Sequence, residues 1–110
     1  MMRLAMSPAA SGLLRALLNR AEVTRDRIML TERHSTDWQS LLLIGEKHQI
    51  RLRIPGPGAR EVAARLTDNI EEAEFSIPGQ ILAYITLTDR AQARSDGSVE
   101  VAMEALTIAE

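Results

Sequence analysis

The chain has 110 residues, 45% of them apolar and 25% charged, a net charge of −2 and no cysteine. It is the size of one domain, 1–110, and long enough to bury a core without metal or disulfide support. The absent cysteines exclude disulfide frameworks, thiolate metal sites and cysteine nucleophiles, and three aromatic residues (Trp38, Phe75 and Tyr84) are too few for base-stacking platforms.

The small net charge conceals an asymmetry. Residues 1–55 hold nine basic against five acidic residues, and residues 56–110 hold four against ten. Two halves that complement each other within one fold account for this; a basic face for an acidic protein or a small anion is the sharper alternative. No apolar run approaches the roughly 18 residues of a membrane span, and Pro8 and Arg15 break the short N-terminal stretch that would otherwise suggest a signal sequence. A cytoplasmic, bacterial-type protein is the expectation, with any disorder at residues 1–6.

Ser7-Pro8 reads as a helix start, with Ser as N-cap and Pro at the first helical position. Leu13, Leu14, Leu17, Leu18 and Ala21 recur on one face of the helix that follows, a stripe suited to cover a sheet. Arg27 to Arg33 reads as a strand and Ser35-Thr36-Asp37 as a turn. Trp38 to Pro55 then reads as a β-hairpin around a loop at Gly45-Glu46-Lys47-His48. In that register Leu41, Leu43, Ile50, Leu52 and Ile54 share a core face, while Trp38, Ser40, Leu42, Ile44, Arg51 and Arg53 share the opposite one.

Pro55-Gly56-Pro57-Gly58 ends the hairpin. A second helix follows to about Glu72, with Ala59, Val62, Ala63, Leu66 and Ile70 on one face. Its N-terminal glycines match neither a P-loop nor a dinucleotide fingerprint, and structural punctuation explains them. A strand from Glu74 to Asp89, interrupted at Pro78-Gly79, places Phe75, Ile77, Ile81, Ala83, Ile85 and Leu87 on one side. After a polar loop from Arg90 to Gly97, a last strand turns Val99, Val101, Met103 and Ala105 inward and pairs Leu87 with Val99 and Ile85 with Val101. Leu106 and Ile108 break that phase, which a bulge or a second apolar surface would explain. The predicted fold is α+β, in the order α-β-β-β-α-β-β: one mainly antiparallel sheet of about five strands with two helices packed on one face. Strand orders 1-2-3-5-4 and 4-5-1-2-3 both keep neighbours antiparallel.

Chemical motifs are sparse. His34 and His48 read as solvated turn residues without metal-ligand spacing, and Glu71, Glu72 and Glu74 as a solvated helix end. Thr86, Glu100 and Glu104 are also expected in solvent. No serine has a histidine neighbour or a Gly-x-Ser-x-Gly context. No catalytic residue, cofactor or metal is expected, and enzymatic activity is the lesser expectation. The residues that stand out are those of an interface: Trp38, Leu42, Ile44, Arg51, Arg53, Tyr84, Leu106 and Ile108. Helices on one face would leave these, with Leu82, on an uncovered one, and large exposed apolar patches mark interaction surfaces. An Arg stacked on Trp38 fits the same register.

The function that follows is a non-enzymatic interaction or assembly domain, a homodimer through the sheet face. The alternative is a small-molecule-binding protein or small enzyme with a pocket between sheet and helices. A nucleic-acid partner would call for more positive charge and more aromatics, and nothing points to a membrane.

Overall fold

The structure, a computed structural model, describes residues 6–110; apart from Met6, the segment where disorder is expected lies outside the described residues. Ser7 opens the first helix, α1 (Pro8–Ala21): its Oγ accepts the Ala10 N–H at 3.1 Å, and Pro8 occupies the first turn. A long hairpin follows, β1 (Met29–Gln39) and β2 (Ile44–Ile54), then α2 (Ala59–Thr67). The chain ends with β3 (Gln80–Leu87), the two-residue β4 (Gln92–Ala93) and β5 (Val99–Ala109). Every pairing is antiparallel, in the order β1-β2-β5-β3, and β4 pairs with the start of β5, extending the β3 edge.

The expected class holds: one five-stranded antiparallel sheet with two helices. The strands divide differently around α2, giving α-β-β-α-β-β-β. Of the two strand orders, only the pairing of the Ile54 strand with the last strand from 1-2-3-5-4 is formed; the separate second strand of that order is absent, because β1 pairs directly with the Ile54 strand and residues 40–43 make the turn between them.

The core lies between the sheet and the helices. Leu13, Leu14, Leu17 and Ala21 of α1 and Ala59, Val62, Ala63 and Leu66 of α2 bury against Ile50, Leu52, Ile54, Ile85, Val99, Val101, Met103 and Ala105. Ile77 presses on α1 at Gly12: a Cβ there would come within 2.7 Å of its Cγ2, so the helix keeps a glycine despite its cost. The two helix ends are tied reciprocally. Arg20 of α1 donates from Nε to the Leu66 carbonyl at 3.0 Å and from its guanidinium to the Asp68 carbonyl; Arg65 of α2 donates to the Ala21 carbonyl at 2.9 Å. Each arginine thus satisfies carbonyls that the other helix leaves open at its C-terminus, where positive charge is favoured. Among the described residues no helix is long and apolar enough to cross a membrane.

Four expectations are corrected. The hairpin turns at Ser40–Leu43, not at Gly45–His48: Gln39 lies opposite Ile44, and the Ser40 N–H donates to the Leu43 carbonyl at 3.0 Å. Ser35-Thr36-Asp37 is therefore strand, and Leu41 and Leu43 are exposed rather than core. The apolar run of residues 41–44 outweighed the weaker, polar strand before it, yet an edge strand with a solvated face tolerates such a polar sequence.

The second correction is in β3. A bulge between Leu82 and Tyr84 reverses the phase, so Leu82 faces the helices and Ile81, expected in the core, faces outward at 54% exposure. The long strand from Glu74 is also shorter than expected, with Ile77 only bridging to Gln80 ahead of it. Third, β5 keeps one phase throughout, and its register on β3 is displaced: Leu87 pairs with Met103 and Ile85 with Ala105. The β4 segment pairs with Val99 and Glu100, so Ala93 takes the place beside Val99 that Leu87 was expected to fill. Fourth, α2 stops at Thr67, and Ile70–Glu72 forms a separate 3-10 turn after Asn69 with φ 52°.

Candidate functional site

The face of the sheet away from the helices divides into an apolar end and a charged end. Pairing aligns Trp38, Gly45, Ile108 and Ile81 in one cross-strand row, and Thr36, Lys47, Leu106 and Tyr84 in the next. Leu106 is buried, Trp38, Tyr84 and Ile108 are partly buried, and Ile81 is exposed. Gly45 sits in this surface because β5 passes too close for a side chain: a Cβ there would collide with the Thr107 carbonyl oxygen. Trp38 lies opposite this side-chain-free position. The Tyr84 hydroxyl donates to Glu104 Oε2 at 2.7 Å, so Glu104 is not free in solvent. That hydrogen bond raises the Tyr84 pKa and lowers that of Glu104.

Of the expected interface residues, Trp38, Tyr84, Leu106 and Ile108 share this end of the open face. Leu42 and Ile44 do not: they belong to the tip of the β1–β2 hairpin. There Leu41 and Leu42 are 97% and 89% exposed, with Leu43 and Ile44 exposed beside them. Leu82 lies on the other face. Ile81 takes its place, a residue that strict alternation hid and only the bulge reveals.

Arg51 and Arg53 occupy the charged end and converge on Glu100. Arg53 reaches Glu100 Oε1 at 3.0 Å, Arg94 reaches the same oxygen at 3.0 Å, and Arg51 stands 4.0 Å from Oε2 while also pairing with Glu32 at 3.3 Å. The Glu100 side chain is 12% exposed, not the solvated group expected. Its hydrogen bond from Arg53 holds the carboxyl below its ordinary range, with Arg94 adding to the effect. The cation–π contact found among the described residues is Arg20 over Phe75, 6.0 Å from the ring centroid, rather than an arginine on Trp38.

His48, expected in a solvated turn, is fully buried on the helix-covered face. Ser35 Oγ lies 2.9 Å from its Nδ1 and Thr107 Oγ1 lies 2.8 Å from its Nε2. A consistent assignment runs from the Ser35 hydroxyl to Nδ1, from Nε2–H to Thr107, and from Thr107 to the Glu46 carbonyl at 3.5 Å. Burial lowers the His48 pKa; Glu46 opposes that effect and Arg33 adds to it. Ser35 therefore does have a histidine neighbour, one that sequence distance concealed. The signal was present in the alternation, because His48 continues the buried series Ile50, Leu52 and Ile54. The second ring nitrogen meets a threonine instead of a carboxylate, so the imidazole lacks the partner that would stabilise it as an imidazolium. His34 stays exposed in β1, and among the described residues no three His, Asp or Glu side chains form a metal-binding group.

The cavities are shallow or apolar. A hollow of about 440 Å³ is bordered by Ala16, Asn19 and Arg20 of α1 and by Glu74, Phe75 and Ser76. A cleft of about 320 Å³ between α1 and the sheet is lined by Leu14, Leu18, Ile28, Leu30 and Leu52, with Arg25 at its edge. The first is bordered mostly by polar side chains, of which Arg20 is already engaged by the Leu66 and Asp68 carbonyls; the second offers no polar side chain but Arg25 to orient a substrate.

No family model and no curated protein matches the sequence. The fold does have a counterpart. The chain is similar to a chain in the solved virion of a native gene transfer agent particle, with a TM-score of 0.66 and 14% identity. The similarity spans 91% of this chain and 97% of that one, so the fold match runs almost end to end.

Proposed function

We propose that this chain is a structural subunit of a phage-like particle, acting by assembly with copies of itself or with other particle proteins. The observation that carries the reading is the near full-length fold match to a chain of a gene transfer agent virion. The site geometry supports it. The charged end of the open face is internally neutralised around Glu100, whereas the apolar end presents Trp38, Ile81, Tyr84 and Ile108 with no helix among the described residues over them. Trp and Arg are enriched in interface hot spots, and a sheet face that exposes Ile beside Trp gains from being covered. A homodimer through this face is the simplest assembly.

Mass spectrometry of particles purified from producing cells tests the role; the chain should be present in stoichiometric amount, and its absence would overturn the reading. Sedimentation tests the face. Ile108→Asp should shift the mass towards monomer with the circular dichroism spectrum unchanged, and an unchanged mass would remove this face from the assembly.

The competing reading, a small enzyme or small-molecule-binding protein, has the Ser35–His48 contact in its favour. It is the weaker one because His48 is buried, held by hydroxyls on both sides, and remote in character from the apolar cleft between α1 and the sheet.

A further inference from the structure

Leu41, Leu42, Leu43 and Ile44 form the end of the β1–β2 hairpin, where all four are exposed. Turn chemistry does not call for them, since short turns favour Gly, Asn, Asp, Ser and Pro, and four consecutive exposed aliphatics are a liability in water. Just behind the tip, Asp37 lies directly opposite Glu46. Like charges opposed in a sheet are destabilising; among the described residues neither carboxylate is in an ion pair, but Glu46 accepts a hydrogen bond from the Ser7 hydroxyl at 2.7 Å, which leaves Asp37 as the exposed carboxylate.

The root of the same hairpin has the complementary character. The cleft between α1 and the sheet is walled by five aliphatic side chains, and at about 320 Å³ it exceeds the roughly 150 Å³ apolar cavity that admits a benzene ring. Arg25 stands at its edge, and an adjoining hollow that shares Leu14 and Leu18 is bordered by Arg15 and Arg25. Both arginines are exposed, and neither is in an ion pair among the described residues.

We propose that the hairpin tip of one copy seats in the α1–sheet cleft of the next. The inference rests on the assembly reading above and specifies a contact distinct from the open face. Leu41 and Leu42 fill the apolar cleft, while the exposed Asp37 comes to its basic rim. Leu30 in the cleft wall and Gln39 beside the tip are nine strand residues apart, about 30 Å, so a tip cannot reach the cleft of its own chain. The contact is therefore heterologous: tip and cleft are different surfaces, and repeating it builds a ring or a filament instead of a closed pair.

The cysteine-free sequence makes the test clean. The full chain carrying Leu42→Cys and Arg25→Cys together is mildly oxidised and run on a non-reducing gel. A ladder of dimers, trimers and larger covalent species, lost on reduction and absent from either single variant, is the expected result. A Leu41→Asp, Leu42→Asp double variant that keeps its circular dichroism spectrum should raise the concentration for half-assembly by at least about 30-fold, the loss of one hot-spot residue. Covalent dimers from Leu42→Cys alone would mean that tip meets tip, and would overturn the proposal. An oligomer that neither cross-links nor responds to the charged tip would overturn it too, while leaving the assembly reading intact. A wild-type chain that stays monomeric at high micromolar concentration would overturn self-docking, and particle membership would then be decided separately by its presence in purified particles.

Discussion

His48 Nε2 lies 2.8 Å from Thr107 Oγ1, and both residues are fully buried. The imidazole is held neutral by burial, which lowers its pKa from the ordinary 6.5. In the unfolded chain the ring takes up its proton near the ordinary value, so on acidification the unfolded state binds more protons than the folded one. Stability should therefore be fully present above about pH 7 and fall as the pH drops below 6.5, by no more than about 1.4 kcal/mol per pH unit from this group. Denaturant titrations at pH 7.5 and 5.5 should show the loss in the wild type and a smaller one in His48→Gln. An equal loss in both would mean that His48 is not the group responsible.

Leu41 and Leu52 make a matched pair for the position of the hairpin turn. Leu52 is buried among the core residues, and Leu52→Ala should cost about 2–5 kcal/mol. Leu41 stands in solvent at the tip, and Leu41→Ala should change monomer stability by no more than about 0.5 kcal/mol. Comparable losses in urea melts of the two variants would restore the turn to Gly45–His48.

Gly45→Ala probes the close approach of β5. Alanine is ordinarily the better residue in a strand, so a gain would be expected if backbone freedom were the issue. Here the new methyl group would strike the Thr107 carbonyl oxygen, which is backbone and cannot rotate away. Displacing Thr107 also disturbs the partner of His48. The substitution should cost about 1–3 kcal/mol, as overpacking does, and a chain as stable as the wild type would show that β5 shifts freely.

Glu100 neutralises the charged end of the open face. Replacing it with Gln should lower the denaturant midpoint at low salt, because Arg53 and Arg94 lose their shared carboxylate. The deficit should shrink in high salt, which screens the remaining repulsion among the arginines. The Glu100 carboxyl is held below its ordinary pKa, so its contribution is present at neutral pH and lost as the pH falls through the acid range. A midpoint unaffected by both the substitution and the salt would dismiss the cluster as a stabilising feature.

The sequence by itself determined the α1 start, the aliphatic faces of β2 and β5, the break at Pro55–Gly58 and the α+β class. Each of these rests on local chemistry: a capping hydroxyl, a strict two-residue alternation, prolines that cannot donate to a ladder. Only the tertiary structure decided where the first hairpin turns, because residues 41–44 are apolar enough for a core strand and nothing local says that the helices stop short of them. The bulge at Ala83 was equally hidden: it adds one residue against β5, turns Ile81 out and Leu82 in, and leaves no composition signal. The same holds for the candidate sites. Trp38, Tyr84, Leu106 and Ile108 could be placed on one face by counting alternate residues. The separation of Leu42 and Ile44 into a projecting tip, the closure of three arginines around Glu100, and the burial of His48 between Ser35 and Thr107 depend on which strands become neighbours. Strand pairing joins residues up to 63 positions apart, as Gly45 and Ile108 are, and such long-range choices are settled by the shared burial of whole faces rather than by any short stretch of sequence.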